Sequence, residues 1–217
     1  MRYRIAAAFA TLALLSYCLL VSAKPDLAGA PATGAARLTP SPSGANAPVV
    51  RAAAATAQSA QAFAQAFPVF LHPRCMNCHP TGDVPLQGDD SRPHQQRVRR
   101  GRDGLGIYSM KCSNCHQTEN IPGPHMPPGA PNWHLTPANM KMVFQGRTAG
   151  ELCRQLKDPK QNGGKTVEQI VEHSASDKLV LWGWEPGEGR TPVSMPHAEF
   201  ARLMQEWGRN GAACPSP

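Results

Sequence analysis

Beyond its first two dozen residues the chain lacks any apolar run that approaches membrane-spanning length. It also lacks any stretch that alternates convincingly as a strand, and it has few β-branched runs. The first absence predicts no internal membrane span. The other two turn the expectation away from a sheet and toward a mainly α fold. Dense basic character is missing as well. The net charge is +7, of which Arg2 and Arg4 supply two charges, and this is too mild for a nucleic-acid binder. Proline and glycine, by contrast, number 22 and 19, so ordinary side chains alone would make a thin core.

The start of the chain sets the compartment. Arg2 and Arg4 are followed by nearly uninterrupted apolar sequence from Ile5 to Val21, and Val21, Ser22 and Ala23 offer the small residues a signal peptidase reads. Residues 1–23 therefore read as a secretory signal rather than an uncleaved anchor, since the run is short for a span and ends in a cleavage site. A lipidated Cys18 is disfavoured by Tyr17 before it. The expected product is exported to a bacterial periplasm. Residues 24–58, rich in Ala, Pro, Ser and Gly, cannot bury a core and read as a flexible linker. Residues 59–217 read as the folded domain, opening at Phe63, Phe67 and Phe70.

Seven cysteines are present. Four of them fall in two copies of one frame, "CMNCH" at Cys75, Cys78 and His79 and "CSNCH" at Cys112, Cys115 and His116. Three readings compete. A zinc ribbon would gather four thiolates on one ion, but it has no need of a histidine directly after each second cysteine. A thioredoxin-like site would be a single Cys-x-x-Cys in a βαβ context, which is absent here. The third reading is the attachment sequence for c-type haem. Two thiols add across the haem vinyl groups, the two intervening residues match their spacing, and the adjacent histidine falls beneath the iron. It uses all three residues, twice, in a chain marked for export, and so predicts two covalent haems with His79 and His116 as iron ligands. Cys153 and Cys214 remain as an even pair, a candidate disulfide in an oxidising compartment.

These motifs behind a signal sequence resemble a di-haem c-type cytochrome. The segments "HPTGDVPLQGDDSRPH" and "ELCRQLKDPKQNGG" are also similar to chains labelled as accessory subunits of isoquinoline 1-oxidoreductase-type molybdenum hydroxylases. The resemblance implies a periplasmic redox partner, of which such a dehydrogenase is one form. The chain departs from the small class I cytochrome layout, in which a methionine ligand lies well after the motif and before a C-terminal helix.

A haem packed on both faces would supply the interior that the side chains lack. Short helices joined by long Pro/Gly-rich loops are expected around it. Thr136 with Pro137, Thr148 with Glu151, and Thr166 mark three helix starts. Phe200, Leu203, Met204 and Trp207 trace the apolar face of a fourth, with Gly208 as its stop signal. The sixth iron ligands stay open. His94 is the nearest candidate for the first haem. His125, Met126 and His134 are candidates for the second, and Met195 before Pro196 is a further one, while surface or helix-entry roles compete for several of them. Methionine opposite histidine raises the potential, two histidines lower it, and an empty position invites small-molecule chemistry. Between the motifs Arg92, Arg97, Arg99, Arg100 and Arg102 form a basic cluster that would face solvent, pair with haem propionates, or steer an acidic partner. The function expected is electron transfer between a dehydrogenase and a downstream acceptor. A di-haem enzyme, peroxidase-like or oxidising a small sulfur substrate, is the main rival, and a structural zinc protein is the third reading.

Overall fold

The structure is a computed structural model that describes residues 47–216. The signal segment, including Cys18, and the linker up to residue 46 lie outside the described residues. Six α-helices carry the fold: α1 Ala47–Leu71, α2 Pro73–Met76, α3 Ala149–Lys157, α4 Val167–Ser176, α5 Lys178–Leu181 and α6 His197–Arg209. Two minimal antiparallel hairpins lie between α2 and α3. In one, β1 Leu86–Gln87 pairs with β2 Arg92–Pro93. In the other, β3 Gly106–Ile107 pairs with β4 Met110–Lys111. The fold is thus mainly α, and no helix among the described residues is long and apolar enough to cross a membrane.

The core is built on α1 and α6. Ser59, Ala62, Phe63, Ala66, Val69 and Phe70 recur at helical spacing on α1 and are buried, forming one face. That face meets Phe200, Leu203, Met204 and Trp207 of α6. Phe63 lies 5.2 Å from the Trp207 ring, and Phe70 lies 5.4 Å from Phe200 edge-on. The Ser59 hydroxyl donates to Trp207 O (2.8 Å) and accepts from Ala213 N (2.9 Å), so the chain beyond α6 is tied back onto α1. A disulfide joins Cys153 of α3 to Cys214. Gly150 permits the close approach this requires, since a Cβ there would stand 2.6 Å from Pro215 O.

Capping chemistry explains where helices start. Thr148 and Glu151 form a reciprocal capping box at α3, and Thr166 and Gln169 form one at α4. Buried Asn162 sets the turn between them, donating to Leu156 O and Lys165 O and accepting from Lys165 N. Two expectations are corrected. First, residues 47–58 are not a flexible linker. They form the first half of α1, an alanine-rich stretch of high helix propensity whose side chains are largely exposed. Second, Thr136 does not cap a helix. Residues 136–147 run as an irregular strap because their backbone groups are used elsewhere. Arg100 Nη1 donates to Thr136 O (2.6 Å), Gln155 Nε2 donates to Val143 O (2.8 Å), and Phe144 N donates to His79 O (2.9 Å).

Candidate functional site

Each motif is wound into one tight turn. Cys75 lies in α2, and Cys78 N donates to Cys75 O (3.2 Å). Cys112 opens a 3-10 turn, Cys112–Asn114, and Cys115 N donates to Cys112 O, also 3.2 Å. Each turn thus brings its two cysteines within one turn of backbone of each other. All four are free. Burial pushes the thiol of Cys75 up to about 12 and that of Cys78 up to about 11, so both are protonated near neutral pH.

The histidine that follows each pair is held in the same manner, by unrelated parts of the chain. His79 Nδ1 is 2.7 Å from Met142 O, and His116 Nδ1 is 2.7 Å from Pro128 O. A carbonyl only accepts, so Nδ1 of each ring carries the proton and Nε2 keeps its lone pair. Each ring also lies flat against an aromatic residue. Phe144 stacks on His79 at 3.8 Å and 13°, and Trp133 stacks on His116 at 4.5 Å and 6°. Burial lowers the proton affinity of both imidazoles, to a pKa of about 4 at His79. Two neutral imidazoles, each oriented by a backbone carbonyl and an aromatic face, are thus poised to ligate a metal through Nε2.

A cavity of about 800 Å³ connects the two motifs. Cys78, Cys112, Cys115 and His116 line it together with Arg74, His94, Trp133 and Trp182. Cys75 instead packs on the helical core, and His79 is enclosed by the strap. The first motif is therefore the more sequestered of the two. Buried Arg74 borders the cavity between Asp89, to which it donates at 2.7 Å, and the Trp182 ring, 5.8 Å from its guanidinium carbon. Its Nε has no hydrogen-bond partner.

The candidate sixth ligands separate into groups. His94 lies inside the cavity, beside His116 rather than His79. His125 and His134 line its rim and are exposed. Met126 is 40 % exposed and off the cavity, and Met195 packs against the helical core. Within the arginine cluster, Arg100 is fully buried and donates to Thr136 O and Oγ1 and to Gly82 O. It clasps loops, whereas Arg92, Arg97, Arg99 and Arg102 are exposed. Trp133 and Phe144 carry no sequence signal that marks them as supports, because each meets its histidine only in the folded chain.

Among the described residues no three His, Cys, Asp or Glu side chains converge on one point. The four thiols are therefore not gathered as a zinc ribbon requires. At the second motif the donor set, Cys112 and Cys115 beside an oriented His116 at the edge of a partly apolar cavity, suits a thioether-linked haem, whereas Cys75 and His79 of the first motif lie off that cavity. The chain matches no protein family, no curated protein and no solved structure.

Proposed function

We propose that this chain is a periplasmic di-haem cytochrome c that passes electrons between a dehydrogenase and a downstream acceptor. The observation that carries the reading is the repeated support of His79 and His116. Each presents a free Nε2 beside a pair of free thiols, and each is fixed by a backbone carbonyl at 2.7 Å and a stacked aromatic ring. Cys75 and Cys78 would hold one haem and Cys112 and Cys115 the other. The haem, when bound, supplies one-electron uptake and release. The protein's part is to orient the imidazoles, exclude water around the first motif, and place both attachment turns on one cavity. Exposed Arg92, Arg97, Arg99 and Arg102 offer a positive face to an acidic redox partner, and a molybdenum hydroxylase-type dehydrogenase fits the exported setting.

The test is to express the full chain in a host competent in cytochrome c maturation and extract it with acid acetone. Two haems should stay with the polypeptide. Cys75→Ala and Cys112→Ala should each impair the attachment of one haem and leave the other. A colourless protein, or one retaining zinc in place of haem, would end the reading.

A further inference from the structure

We infer that His94 and His116 ligate the same iron from opposite sides, so that the second haem is a bis-histidine centre. This inference rests on the di-haem reading and adds the identity of one distal ligand, moving His94 from the first motif to the second.

The spacing is the first argument. With a metal–imidazole bond of about 2.0 Å and about 1.1 Å from that nitrogen to the ring centre, two imidazoles on opposite sides of one ion have centres about 6 Å apart. The His94 and His116 centres are 6.3 Å apart, with 69° between the ring planes. The rings are not stacked, and their separation is the one a shared ion needs.

Availability is the second. His116 has committed Nδ1 to Pro128 O, which leaves Nε2. His94 Nδ1 is buried without any hydrogen-bond partner. A buried polar nitrogen left unpaired is costly, and a ring that turns toward a metal ion finds a use for its lone pair. Both rings border the cavity that also receives Cys112 and Cys115.

The third argument is how firmly His94 is placed. It directly follows Pro93, the last residue of the β1–β2 hairpin, and its N–H donates to Pro85 O at 2.9 Å. Leu86 N donates to Asn77 O at 3.0 Å, which fixes the hairpin to the first motif. The distal residue of one site is thereby carried by the turn that forms the other. Rival side chains are worse placed. Met126 is off the cavity, Met195 packs against the helical core, and His125 and His134 stand at the exposed rim. An iron held by two imidazoles has no open position, so any small-molecule chemistry would fall to the first site.

The experiment is a ferric magnetic-resonance and optical spectrum of the intact protein, its His94→Ala variant and its His94→Met variant. The wild type should show a low-spin bis-imidazole component. His94→Ala should lose that component at one of the two haems and gain a high-spin centre that added imidazole converts back to low spin. His94→Met should stay low-spin with a raised potential at that haem. Should His94→Ala fail to accumulate, the wild-type spectrum and the methionine variant decide. Two haems whose spectra are unmoved in both variants, or a wild type without a bis-imidazole component, would overturn the ligation and leave the di-haem reading intact. Absence of covalent haem from the wild type would sink both.

Discussion

At the scale of single residues, each buried guanidinium is anchored by a few acceptors, even where one nitrogen stays unpaired. Arg74 shows this best. It is 2 % exposed on its side chain, and Asp89 is its one carboxylate partner. Asp89 also accepts from Thr191 Oγ1 (2.7 Å) and Thr191 N (3.1 Å). The hydrogen bond from the Thr191 hydroxyl, more than the Arg74 charge, holds its carboxyl below the usual aspartate range, against a smaller opposing effect of burial. A carboxylate with a depressed pKa in the fold adds stability that is complete above its unfolded value and lost as pH falls through the folded one. Asp89→Asn should therefore lower stability near neutral pH by about 1–2 kcal/mol, the low end for charge-assisted bonds because Asp89 is half exposed. The gap from wild type should close as pH falls below about 4. Urea midpoints of both proteins from pH 7 to pH 3 measure it, and a gap that widens on acidification would contradict the assignment. His94 teaches a related lesson. Its type and place in the chain made it a visible ligand candidate. Which imidazole it faces depends on a hairpin of two-residue strands, too short to leave an alternating pattern in the sequence.

Among the elements, legibility followed the source of each helix's stability. The α3, α4 and α6 starts and faces were readable because capping boxes and an i, i+3, i+4, i+7 face are local signals. The first half of α1 was not, because its alanines with Thr56 and Gln58 reveal no buried face, so the helix reads as linker by composition. The Thr136 start was misread for the opposite reason. Its local signal is sound, but Arg100 and Gln155 take the carbonyls from a distance. Among the element ties, the disulfide spans 61 residues of sequence, and closing so long a loop restricts the unfolded chain substantially. Cys214→Ser should cost about 2–4 kcal/mol, seen as a lower denaturant midpoint. On the di-haem reading, covalent haem content should not change, because Cys153 and Cys214 lie outside both motifs. Loss of a haem in that variant would show that the C-terminal strap does more than brace the helices.

For the whole molecule, the arginine-rich segment divides into a buried clasp and an exposed face. Arg100 N and its guanidinium tie the loop to Asp83, Gly82 and Thr136. Arg100→Gln should lower stability by about 1–3 kcal/mol, because it leaves the carbonyls of Thr136 and Gly82 without their donor. Arg99→Gln and Arg102→Gln should barely move stability and instead slow reduction by an acidic partner, most at low salt. Stopped-flow kinetics across ionic strengths, beside thermal melts, separate the two effects. Equal kinetic losses in all three variants would show that the division is wrong. The supports of the two motif histidines also differ in reach. His116 takes its carbonyl from 12 residues ahead, whereas His79 takes its own from 63 residues ahead. A chain made N-terminus first delivers the first motif before the second, yet the second gains its carbonyl brace and Trp133 while the strap that braces His79 has still to emerge. The order of birth and the order of completion are thus reversed. The earlier motif is braced only when residues 142–144 arrive.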